Sequence, residues 1–170
     1  TDPASCSGTA MTVTVRPAGQ AARGWNTSLA TADPQVVSSA RTDARGVATL
    51  CAPQGSGGRP LVVSATRPGR PGVILMGMAG TQGAPLSAVR VSDLSTVFSL
   101  NRFMSGTSVS GPSPGVDNAG LVASNLVDPA SGHVGWVVAN PPNGGDTTTL
   151  ATLRTLADIV ATCAVGTKAE

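Results

Sequence analysis

Tyrosine is absent, and Trp25, Trp136, Phe98 and Phe103 are the only aromatic residues, 2% of 170. A core of this chain must therefore be built from Val, Leu, Ile, Ala and Met, which pack in thin layers. Charge is scarce as well: 12% of residues are Asp, Glu, Lys or Arg, about half the usual share. The net charge of +2 gives no electrostatic case for nucleic acid or an anionic membrane as partner. Lys168 is the only lysine, so arginine supplies nearly all the positive charge. Ser and Thr fill the polar positions, a pattern common in exported proteins and in subunits whose surfaces are covered by neighbours.

A single histidine, His133, limits the chemistry. It would be the only base for a serine hydrolase, and no G-x-S-x-G elbow is present. His133 lies in a polar, turn-like segment, so it reads as an exposed loop residue. Zinc is not expected, because no C-x-x-C occurs beside that lone histidine. The acidic residues are scattered. Asp33, Asp43, Asp128 and Asp146 each have a turn or helix-cap explanation, and none belongs to a cluster suited to calcium or to paired acid–base work. The glycine-rich run at 55–58 lacks the Lys-Ser/Thr ending of a phosphate cradle. Arg67 and Arg70 read as a solvated turn. The expectation is a protein with no catalytic residues, no cofactor and no metal. No run of eighteen apolar residues occurs, so no transmembrane helix is expected.

Three cysteines are present, an odd number. Cys6 precedes the first strand-like run and Cys51 ends a later one, so a Cys6–Cys51 staple across a sandwich is geometrically reasonable; three buried free thiols are the alternative. Cys163 is left over as a candidate intermolecular thiol. The polar start, Thr1-Asp2-Pro3, would fit a mature end left by signal cleavage. With a disulfide, that start points to a secreted, cell-surface or periplasmic protein.

The first half reads as β. Residues 11–15 alternate between apolar side chains and threonine. Further strands are expected at 28–32, 35–39, 47–51, 60–66 and 73–78, the last an apolar run that fits a buried strand. Residues 42–46 form a strong turn signal, in which Asp43 can bond its own following backbone and Gly46 supplies a positive φ. Short strands punctuated by turns argue for a sandwich.

After residue 90 the period changes. Ser92 can cap a helix over 93–104, with Leu94, Val97, Phe98 and Met104 on one face. A Ser/Pro/Gly linker follows at 106–115. Val116, Ala119, Val122, Ala123, Leu126 and Val127 then recur at helical spacing. Residues 129–146 read as a loop, with a short strand at 134–138. Asp146 suits an N-cap for a last helix striped by Leu150, Leu153, Leu156, Ala157, Val160 and Ala164. The fold class expected is α+β: an N-terminal antiparallel β-sandwich, Ig-like or transthyretin-like, over 1–85, and about three helices packed beside it over 86–170.

Three stretches, 97–104, 125–132 and 141–163, together resemble a group of secreted proteins of soil bacteria. In that group a carboxypeptidase-regulatory-like or Cna-B-like β-sandwich precedes a helical segment. The turn at 42–46 and the strand at 61–66 match the sandwich's T-D-x-x-G turn and the strand after it. The resemblance spans most of the chain and implies a fold and an exterior location, but no chemistry. Two departures stand out. The group usually carries another cysteine beyond the equivalent of Cys163. Cna-B-like sandwiches often hold a Lys–Asn isopeptide bond, which Lys168, near the chain's end, cannot supply within the sandwich.

Two functions are expected from these observations. The first is a non-enzymatic structural or interaction protein of the cell exterior, a subunit of a surface filament, matrix or envelope complex, assembled with protein partners. Strand addition at a sheet edge would be one route. The second is a ligand-binding module, for a glycan for instance. Trp25, in a polar stretch, is the expected exposed contact, whereas Trp136, in an apolar run, reads as core with a contact role as the alternative.

Overall fold

The computed structural model describes residues 6–31, 36–55, 58–104, 122, 125–140 and 148–166. Among the described residues, eight strands form two sheets, and three helices with defined bounds follow. The strands are β1 (Thr9–Arg16), β2 (Asn26–Ala30), β3 (Val36–Arg41), β4 (Val47–Ala52), β5 (Pro60–Arg67), β6 (Arg70–Thr81), β7 (Ala84–Pro85) and β8 (Ala88–Ser92). The helices are α1 (Asp93–Met104), α2 (Trp136–Ala139) and α3 (Thr149–Val165), and a 3-10 turn at Pro17–Gly19 follows β1.

One sheet has the order β4-β1-β8 and the other β3-β2-β5-β6-β7. All pairings are antiparallel except β1 with β8, which run parallel. That parallel pair departs from the wholly antiparallel sandwich expected. It also carries the sandwich past residue 85, because β8 is a full member of the smaller sheet. The fold is α+β, a sandwich with helices packed on it.

Alternation explains the first core. Met11, Val13 and Val15 of β1 point inward, with Leu50 of β4 and Val89 and Val91 of β8. They meet Leu29, Leu61, Val63, Ala65 and Leu75 of the facing sheet. β5 and β6 are also covered on their outer face. There Val62 and Met78 pack with Phe98 of α1 and Val127, flanked by Met76, Leu94, Leu126 and Leu153. Burial on both faces is the reason β5 reads as a continuous apolar run instead of an alternating one. α3 spans the two cores, with Leu153 against the outer one and Val160 and Ala164 against the inner.

Several local expectations need correction. The segment expected as a strand at 134–138 makes a single bridge, Val127 to Val134, and then turns into α2. Gly135 begins that helix in extended backbone, and only Val138 turns inward. The break at 67–72 is a tight turn through Pro68 and Gly69, so β6 begins at Arg70. Asp146 and the linker at 106–115 lie outside the described residues, as does most of the helix expected at 116–127. α3 starts at Thr149 with Thr148 in the cap position.

Candidate interaction surface

Cys6 and Cys51 form a disulfide with Cα atoms 5.6 Å apart. The pair is the expected one, but its placement differs. β1 and β4 are neighbours in the same sheet, with Ala10 opposite Cys51, so the bridge ties adjacent strands and does not cross the sandwich. Cys51 also donates its backbone N–H to the Ser38 hydroxyl at 2.9 Å, linking β4 to the edge strand β3 of the other sheet. No described helix is long and apolar enough to cross a membrane.

The two tryptophans exchange the places expected of them. Trp25 is 6% exposed and belongs to the inner core, so it is no platform for a ligand. Its polar neighbours misled because they sit at a strand's start, where Thr42 satisfies the backbone. The Trp25 N–H donates to the Thr42 hydroxyl at 2.8 Å, and the Trp25 carbonyl accepts from the Thr42 N–H at 2.9 Å. Trp136 is 76% exposed on α2. Its apolar run does not bury it, because that run forms one short helical turn with a single inward residue.

α3 carries the clearest exposed feature. Its inward stripe is as expected at Leu150, Leu153, Ala157, Val160 and Ala164, all partly or fully buried. Leu156, expected within that stripe, instead faces solvent at 42% exposure, and Ile159 is 56% exposed. Thr152, Leu156, Ile159 and Cys163 follow one another at spacings of four, three and four, which places them on one outer face. Cys163 is a free, exposed thiol. Thr155 and Thr162 flank this face and donate their hydroxyls to the carbonyls of Ala151 and Asp158, at 3.1 and 2.8 Å. Their hydrogen-bonding capacity is thus turned back onto the helix. The result is an uncharged outer face ending in a thiol, with Arg154 and Asp158 on the opposite flank.

Arginine holds this helix in place. Arg67 donates through Nη1 to the carbonyls of both Ala164 and Val165 at 2.8 Å. A cation on the last carbonyls of a helix satisfies orphan acceptors and opposes the negative end of the dipole. Arg67 is therefore a helix clamp, not the solvated turn expected from sequence.

The loop at 128–133 is tightly bonded. Asp128 accepts from the Ser131 hydroxyl at 2.7 Å and from the Ala130 N–H at 2.9 Å. Those bonds, the hydroxyl's first, hold its carboxyl below the usual range. His133 is exposed in this loop, and its carbonyl accepts the Asp128 N–H at 2.9 Å.

No family model, curated protein or solved structure matches the chain.

Proposed function

We propose that this chain is a structural or interaction subunit of the cell exterior that associates through the outer face of α3, with a second copy of itself as the partner. The observation that carries this reading is the uncharged face of Thr152, Leu156, Ile159 and Cys163 on a helix clamped rigidly to the sandwich. Cys6 and Cys51 are used by each other, so Cys163 has no thiol partner within the chain. In an oxidising compartment, which the disulfide favours, the partner that the chain itself can supply is the same cysteine of another copy. A net charge of only +2 puts little repulsion between copies. The resemblance to secreted sandwich-plus-helix proteins supports an exterior location.

The test is mild oxidation of the purified full chain followed by peptide mass mapping. The expected product is a Cys163–Cys163 linked pair of peptides. A chain that stays unlinked at Cys163 while its Cys6–Cys51 bond forms would overturn the reading.

A second reading, a glycan-binding module, now rests on Trp136 instead of Trp25, because an exposed indole offers a face to a sugar. A glycan array comparing wild type with Trp136→Ala checks it. Equal, featureless signals from both would reject it.

A further inference from the structure

The outer face of α3 has a regular spacing as well as an exposed thiol. Thr152, Leu156, Ile159 and Cys163 recur at intervals of four, three and four, the repeat of a seam in which side chains of one helix fill holes on another. All four are exposed. The residues bordering the seam differ between its two sides. Toward solvent lie Thr155 and Thr162, whose hydroxyls are committed to the carbonyls of Ala151 and Asp158. On the other side lie Leu153 and Val160, packed against the outer and inner cores of the chain itself.

Two helices can share such a seam in either direction, and each direction matches different residues. In a parallel pair every seam residue meets its own copy, so Leu156, Ile159 and Cys163 form successive like-with-like layers. In an antiparallel pair centred on the same residues, Leu156 meets Ile159 of the second copy and Cys163 meets Thr152 of the second copy. Positions 152 and 163 are about 16 Å apart along a helix, so the antiparallel pair holds its two thiols at opposite ends of the contact. Packed helices have axes about 8–10 Å apart, with Cα atoms about 2.3 Å from each axis. Facing Cα atoms of a parallel seam thus lie about 4–6 Å apart, overlapping the span of about 4.4–6.8 Å that a disulfide needs.

We propose that two copies pack their α3 helices in parallel along this seam, as a closed two-fold dimer with Cys163 facing Cys163. The inference rests on the self-association proposed above and adds its direction and its stoichiometry. A parallel pair sets like against like, so any charge in the seam would face itself. Thr152, Leu156, Ile159 and Cys163 carry none, nor do the bordering Thr155 and Thr162, while Arg154 and Asp158 lie on the other flank. In free coiled coils, the order of Leu then Ile along a seam favours bundles of three or four. Here Leu153 and Val160 occupy the border that a third helix would need, and the chain's own cores cover them. The contact therefore closes at two. Both copies then direct the C-terminal end of α3, with its Arg67 clamp, toward the same end of the dimer.

Thr152→Cys in the full chain tests the direction, because position 152 is exposed and outside both cores. After mild oxidation, peptide mapping is expected to recover links between the two copies of position 152 and between the two copies of Cys163. No link between 152 and 163 is expected. Within one chain those positions are too far apart to bridge, so a mixed link could only join two copies. A dimer whose links run from 152 to 163 would overturn the parallel direction and leave self-association standing. Links at 163 alone would mean helices that cross at Cys163 instead of running together, and would overturn it too. Sedimentation velocity of the same oxidised sample reads the stoichiometry, with a dimer expected. A larger species would overturn closure at two, and a chain that stays monomeric would overturn both this inference and the self-association beneath it.

Discussion

Gly46 and Thr42 show how single residues set the turn between β3 and β4. Gly46 has φ 76°, and a Cβ there would lie 2.8 Å from the Ala22 nitrogen and from the Val15 carbonyl oxygen. Gly46→Ala is therefore expected to cost about 1–3 kcal/mol through strain and clash together, read as a lower urea midpoint. Thr42 is buried, donates its hydroxyl to the Ala22 carbonyl and accepts from the Trp25 N–H. Asp43 accepts from the N–H groups of Val47 and Arg45, as its place in the turn suggests, and the Val47 bond leads in lowering its carboxyl's pKa. The turn was legible because its residue types have few other uses. Thr42's part was not, because a threonine beside a turn signal does not announce burial.

Asp93 gives the residue-scale prediction with a pH sign. Burial raises its pKa above the ordinary 3.8, so between those two values the folded state holds more protons than the unfolded one. Stability then falls as pH rises through that window, and the cost is fully present above the raised value. Asp93→Asn removes the charge and keeps an acceptor for the Ala18 N–H. The variant is expected to melt higher than wild type at neutral pH, with the gap closing as pH falls below 3.8. A constant gap across that range would contradict the assignment.

Among the elements, α1 and α3 mark where helical periodicity succeeded and where it did not. Ser92 caps α1 as its sequence suggests, accepting the Ser95 N–H at 3.3 Å while Ser95 Oγ accepts the Ser92 N–H at 2.8 Å. The buried face of α1, however, includes Ser95, Thr96 and Ser99 beside Phe98. Two of these hydroxyls serve the edge of β6: Thr96 accepts the Met76 N–H at 2.9 Å, and Ser95 donates to the Met76 carbonyl at 2.7 Å, while Ser99 donates back to the Ser95 carbonyl at 2.8 Å. A hydrophobic pattern cannot signal this, because the face is selected for hydrogen bonds to a strand edge that would otherwise be open. In α3 the inward stripe was readable from spacing. The Arg67 clamp was not, since Arg67 lies 97 residues from Ala164. Arg67→Gln is expected to cost about 1 kcal/mol and to speed amide hydrogen exchange in the last turn of α3, leaving β1 and β4 protected.

At the scale of the whole molecule, the disulfide and the two cores divide the work of stability. The Cys6–Cys51 bond closes a sequence separation of 45, so reducing it is expected to lower unfolding stability by about 2–4 kcal/mol. Thermal melts with and without reductant, on a Cys163→Ser background, measure that change without interference from the free thiol. The sandwich was legible because punctuated short strands have few other solutions. The parallel β8 was not, because its five residues abut α1 and read as part of the change of period. The exposed face of α3 was half legible: Cys163 stood out, but Leu156 was assigned to the core stripe beside it. Only the packing separates the inward residues from the outward ones.

That outer face bears the central claim, association between copies of the chain, and sedimentation velocity of the full chain over a range of concentrations tests it most directly. Wild type is expected to sediment as a dimer or larger species, and Leu156→Glu/Ile159→Glu, which changes only exposed side chains, as a folded monomer. A wild-type chain that remains monomeric at every concentration, reduced or oxidised, would contradict the account.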